Sequence, residues 1–97
     1  MAVGELANLL ADERPAVQER AMHLLGQRGA DAVAVVREIA AKNPSAMARR
    51  NGVWTLVRID TGASRTAVRA ALDDKDAAVV MTAMQGLSVW RDAGALE

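Results

Sequence analysis

The sequence predicts an all-α fold, six helices in stacked pairs that form an α-solenoid. Three observations carry that expectation. The 97-residue chain has 21 alanines, 11 valines and 9 leucines but only two prolines, a balance that suits closely packed helices. It also repeats itself every 31 residues. DERPAVQERAMHLLGQR from Asp12, NPSAMARRNGVWTLVRI from Asn43 and DKDAAVVMTAMQGLSVW from Asp74 align without gaps. Within each copy, apolar columns recur four and eight residues apart, which places them on one helical face.

Call the first helix of each pair A and the second B. The opening VGELANLLA, residues 3–11, sets Val3, Leu6, Leu9 and Leu10 at helical spacing. It reads as the B helix of a pair whose A helix is missing. The first A helix is expected over 15–28. Arg14 is a poor cap there, but Pro15 suits a first helical position, where the missing N–H costs little. ADAVAVVREIAAK, 30–42, makes the next B helix, with Val33, Val36, Ile39 and Ala40 as its stripe and Asp31 as its expected cap. The A helices over 46–59 and 77–90 follow Ser45 and Asp76, good N-caps that accept from orphan backbone N–H groups. Between them TGASRTAVRAALDD supplies a B helix with Ala67, Val68, Ala71 and Leu72 on one side, capped by Thr61 or Ser64. The order is B, A-B, A-B, A.

The aligned columns define the expected core. They are Val17, Ala48 and Val79; Ala21, Gly52 and Ala83; Leu25, Leu56 and Leu87; and Met22, Val53 and Met84. The small column lets a neighbouring helix come close. Gly52 costs about 1 kcal/mol against alanine in a helix, so it implies tight packing there, or else a local kink. No pair can bury its apolar face alone, so the pairs must stack.

The pattern D-x-x-x-x-V-x-x-x-A-x-x-x-L, in a helix pair of 31 residues, resembles the short bacterial HEAT-like repeat. Asp12, Val17, Ala21, Leu25 and Gly26 carry the match in copy one. Copy two departs at Ala48 and Gly52, and copy three at Ser88. The resemblance spans about residues 3 to 92. It implies a right-handed α-solenoid, with A helices on the convex side and B helices on the concave side. Repeats fall at about 12–42, 43–73 and 74–92 of a single domain or fragment, and Leu96-Glu97 reads as a vector remnant. More narrowly, RRNGVWTLVRI, AVRAALDD and GLSVWRD resemble the HEAT segments of large bacterial proteins that join a sugar-dehydrogenase-like propeller to a c-type cytochrome. That resemblance implies an interior segment of a periplasmic protein; otherwise the chain reads as soluble and fits the cytoplasm equally.

Several chemistries lack their residues. There is no cysteine, hence no disulfide, thiolate zinc site or cysteine nucleophile. Neither C-x-x-C-H nor G-x-G-x-x-G occurs, so no haem or nucleotide site is expected, and no cofactor or metal. No apolar run approaches the roughly 18 residues of a membrane span. The single histidine, His23, lies four residues after Glu19, a spacing that sets the two side by side as a helix-stabilising pair. Ser45 and Ser64 read as caps, which leaves His23 no serine to activate. Asp73, Asp74 and Asp76 lack the glycine and distal glutamate of a calcium loop and read as an inter-repeat turn. No catalysis is expected.

The zero net charge conceals a pattern. Residues 1–41 sum to −2, residues 42–72 to +5 and residues 73–97 to −3. Arg65 and Arg69 of this basic middle, with Arg37 on the preceding B helix and Arg49, Arg50 and Trp54, are candidates for contact with a protein partner. The alternative is that these arginines pair with Glu38, Asp60, Asp73 and Asp74. Nucleic acid is disfavoured, because the flanking repeats are acidic and no Phe or Tyr can stack on bases. At the C-terminal end Met81, Met84, Leu87, Val89 and Trp90 await a covering helix pair. Met81, Met84 and Trp90 are therefore candidates for self-association into a homo-oligomer, although Trp90 also fits a plug at the end of the core. The expected function is a protein-interaction scaffold. A nucleic-acid-binding module and a passive spacer between catalytic domains are the rivals.

Overall fold

The computed structural model describes residues 2–94, with side chains to residue 90. Six α-helices run in order: α1 Val3–Asn8, α2 Pro15–Arg28, α3 Ala30–Lys42, α4 Ala46–Ile59, α5 Gly62–Ala70 and α6 Ala77–Gly94. No strand occurs among the described residues. Helices α2, α4 and α6 pack side by side as the A layer, and α1, α3 and α5 as the B layer. Helix α4 is central and touches α2, α3, α5 and α6. The architecture is the all-α helical stack that the 31-residue repeat predicts. The expected vector remnant, Leu96-Glu97, lies outside the described residues.

The repeat is written into the turns. Asp12 Oδ1 accepts from the Arg14 N–H at 2.9 Å, Asn43 Oδ1 from the Ser45 N–H at 2.9 Å, and Asp74 Oδ1 from the Asp76 N–H at 2.8 Å. This Asx turn folds the chain into each A helix and explains why Asp or Asn recurs there. Two of the B helices tighten into a 3-10 turn just before it, at Leu9–Ala11 and Ala71–Asp73.

Most caps fall where the residues predict. Ser45 accepts from the Ala48 N–H at 3.2 Å, and Asp76 from the Ala78 N–H at 2.8 Å. Thr61 and Ser64 act together: Thr61 Oγ1 accepts from the Ser64 N–H at 3.0 Å, and Ser64 Oγ accepts from the Thr61 N–H at 2.6 Å, a reciprocal capping box. Asp31 does not cap α3. Gly29, at φ 61°, turns the chain from α2 into α3 in one residue, so Asp31 falls inside the first turn. There it favours the helix dipole without capping. The counterpart of Gly29 31 residues on, Asp60, also has positive φ, at 50°. Helix α6 runs to Gly94, four residues past its expected end.

Most core columns are buried as aligned, but in the first column Val17 of copy one is half-buried while Ala48 and Val79 are fully buried. Ala21, Gly52 and Ala83 are buried, and so are Leu25, Leu56, Met22 and Val53. In copy three Leu87 is half-buried and Met84 exposed. Helix α4 is one continuous helix, so Gly52 answers the need for closeness rather than for a kink. A Cβ there would meet the Cβ and backbone N of Ala40 at 3.1 Å, which fixes how near α3 lies to α4.

Candidate functional site

Beside the apolar core runs a buried polar seam that links successive repeats. The column six residues after each turn residue, Asp12, Asn43 or Asp74, holds Gln18, Arg49 and Val80. The first two reach back to the turn. Gln18 Nε2 donates to the Asp12 carbonyl at 2.6 Å, and Arg49 Nη1 to the Asn43 carbonyl at 2.7 Å. Arg49 also crosses into the next repeat, where its Nε meets Asp74 Oδ2 at 2.9 Å and its Nη2 meets Oδ1 at 3.3 Å. Both side chains are covered, at 6% and 8% exposure. Burial pushes the Asp74 carboxyl up. The Asp76 N–H and then the Arg49 guanidinium outweigh it, and the pKa ends below the ordinary carboxylate value. Asn51 extends the seam, with Nδ2 donating to the Leu10 carbonyl at 2.9 Å and to Gln18 Oε1 at 3.2 Å. Among the described residues no buried side-chain polar atom lacks a partner.

This seam withdraws Arg49 from the set of candidate contact residues. Its guanidinium is a structural cross-link, because burial and four hydrogen bonds to Asn43, Pro44 and Asp74 leave nothing for a surface ligand. The repeat alignment shows the polar column, but spacing alone does not say that its long side chains fold inward. Trp90 is likewise buried, at 8% exposure, beneath Arg65, whose Cζ stands 4.8 Å from the ring centroid. It closes the core and does not present itself for self-association. Arg65 also holds Asp60 Oδ1 at 2.7 Å.

The remaining candidates lie nearer the surface. Arg37 and Arg69 are exposed, Arg50 is half-buried, and none of the three makes an ion pair among the described residues. Trp54 is half-buried and packs against the core. Met81 and Met84 are exposed, at 59% and 57%. Glu19 and His23 share the solvent face of α2, but no ion pair joins them, as befits exposed side chains that gain little by pairing. Asp12, which opens copy one, is taken by its own neighbour. The Arg14 side chain, and then the Arg14 N–H, hold its pKa at about 2.

Between α3 and α5 lies a groove of about 610 Å³. Alanines form most of it, among them Ala40, Ala41, Ala67 and Ala70, and leave space where larger side chains would have filled the contact. Arg37 stands on its lining, with Glu38 and Asp73 as the acidic counterpart. Among the described residues no three His, Asp or Glu side chains gather as a metal site, and no helix is long and apolar enough to cross a membrane.

The family model for HEAT repeats matches residues 3–92, and the chain belongs to the HEAT repeat family. Repeats of this kind commonly mediate protein interaction or scaffolding. No curated protein matches the chain.

Proposed function

We propose that this chain is a non-catalytic scaffold that holds a protein partner along the groove between α3 and α5. The groove itself carries the reading, an open channel of about 610 Å³ floored by alanine and bordered by charge of both signs. A segment of the partner would lay small apolar side chains between the two B helices and meet Arg37 on one side and Asp73 on the other. Arg69, exposed on α5, extends the basic side. The seam and caps support a rigid frame, with the hydroxyls of Ser45 and Ser64 engaged by backbone N–H groups. A nucleic-acid reading has less support. Of Arg49, Arg50, Arg65 and Arg69, two already hold carboxylates, and phosphate binding needs several free convergent cations.

Ala41→Trp tests the proposal. Ala41 is exposed on the groove lining, so the indole fills the channel and leaves the core alone. A partner recovered by cross-linking to the native chain should be lost with Ala41→Trp and weakened by Arg37→Glu, at unchanged helical circular dichroism. Retention of the partner by both variants would overturn the reading.

A further inference from the structure

The two ends of the stack expose the two unlike halves of one interface, which the chain makes twice within itself. Consider the column Met22, Val53, Met84. Met22 and Val53 are 7% and 0% exposed, and each precedes another A helix. Met84 is 57% exposed, and no A helix follows α6 among the described residues. The opposite side of the A helices shows the reverse trend. Asn51 reaches back to copy one, and a Cβ on Gly86 would strike Val57 of α4, so these columns face the preceding A helix. Their counterparts in α2, Arg20 and Leu24, have no such neighbour. With Leu6, Leu9, Ala16 and Val17 they line an open groove of about 360 Å³.

We propose that a second copy of this chain docks head to tail, with the α6 face of one copy seated in the α1–α2 groove of the next. The junction continues the interface already formed between α2 and α4 and between α4 and α6. Its chemistry agrees. Residues 77–90 of α6 contain no charged side chain, and the receiving groove is apolar except for Arg20. Arg20 occupies the column of Asn51, which donates to the Leu10 carbonyl. The matching acceptor across the junction is the carbonyl of Leu72. The polar seam is closed at both ends, since Val80 offers no donor to a further turn and Asp12 is held by Arg14. What each end leaves uncovered is therefore chiefly apolar surface. Such a contact is heterologous, so it extends into oligomers rather than stopping at a dimer.

Sedimentation velocity from micromolar to millimolar concentration tests this. The native chain should gain mass steadily beyond a dimer as concentration rises. Met84→Glu blocks the α6 face and Ala16→Glu the groove. Both positions are exposed, and circular dichroism checks that each variant folds; Met81→Glu and Arg20→Glu serve if either does not. Each variant alone should be monomeric, and an equimolar mixture should form a one-to-one dimer and nothing larger, because one intact face of each kind remains. A native chain that stays monomeric at millimolar concentration overturns the proposal. So does an Ala16→Glu variant that still dimerises, which would mean that α6 pairs with α6, and so does a mixture that stays monomeric or grows beyond a dimer.

Discussion

Replacing Arg49 with methionine removes the cation that ties α4 to the turn before α6. The side chains are of similar length, so packing is largely kept and the electrostatic loss is isolated. Four groups lose their donor: the two Asp74 oxygens at 2.9 and 3.3 Å, the Asn43 carbonyl at 2.7 Å and the Pro44 carbonyl at 3.3 Å. Breaking a buried pair from one side costs about 3–5 kcal/mol, because the other charge stays buried alone. Asp74 keeps its bond from the Asp76 N–H at 2.8 Å, which brings the expected loss to about 3 kcal/mol. A chain of this size has about 5–15 kcal/mol in all, and its Tm should fall by roughly 12–24 °C. The sign with pH follows from the carboxylate. The folded pKa of Asp74 lies below its ordinary 3.8, so the stability that it contributes is present above that value and is lost as pH falls through the folded pKa. In Arg49→Met the burial remains without the guanidinium, and protonation relieves the buried charge. The gap between native and variant should be widest at neutral pH and should narrow toward about pH 3. Urea unfolding at the two pH values measures it. A loss under about 1 kcal/mol at neutral pH, or a gap that does not change with pH, would refute the assignment of Arg49 as a buried cross-link.

Other substitutions probe the same frame. Asn51→Leu strands the Leu10 carbonyl and Gln18 Oε1, and should cost about 1–3 kcal/mol in urea unfolding; a neutral result would mean that water replaces the amide at no loss. Gly52→Ala gains about 1 kcal/mol in helix propensity but sets a Cβ 3.1 Å from the Ala40 backbone. Overpacking of about 1–3 kcal/mol should win, and a variant more stable than the native chain would show that α3 yields freely. Arg65→Ala removes the cation over Trp90 and should cost about 1 kcal/mol or less, while iodide quenching of Trp90 fluorescence rises. Unchanged quenching would count against Arg65 as the cover of that ring.

Much of this frame was legible in the sequence because the repeat forces equivalent residues into equivalent places. Asp12, Asn43 and Asp74 align in the sequence and make the same turn bond in the structure. The apolar columns align, and the small, leucine and Met22/Val53 columns are buried in the two copies that another A helix follows. The direction of long polar side chains was not legible. A 31-residue spacing places Gln18 and Arg49 on the turn side of their helices, but it gives no sign that the guanidinium folds inward to Asp74 instead of outward to solvent. The basic middle of the chain therefore stays open, in sequence, between contact with a partner and pairing with Glu38, Asp60, Asp73 and Asp74, since a charge sum counts a buried cross-link and an exposed arginine alike. Asp31 shows a second limit. It has a good capping residue type, yet the positive φ of Gly29 starts the helix one residue before it.

The charge pattern along the chain and the polar seam explain each other. Where the inward donor is neutral Gln18, its partners are neutral, the Asp12 carbonyl, Met47 Sδ and the Asn51 amide. Where the donor is Arg49, the next turn residue is Asp74, and the two ionise against each other. Where the column ends in Val80, no donor reaches forward at all. Each seam donor meets partners that suit its charge, neutral groups for Gln18 and a carboxylate for Arg49, so neither boundary buries an unmatched ion, the case that low-dielectric surroundings penalise most. The +5 of the middle segment and the −3 that follows it are in part the two sides of this one contact. Lys42 with Glu38 and Arg65 with Asp60 engage two further cations of that segment. The cations of the same segment that no carboxylate holds among the described residues, Arg50, Arg58 and Arg69, are what remains for the outside. Of these Arg69 alone is carried on a B helix, and it belongs to the same layer as Arg37 and the alanine groove. Carboxylates thus engage half of the positive charge of the middle segment, and Arg69, in the layer of Arg37 and the alanine groove, is the cation left to extend the proposed contact surface.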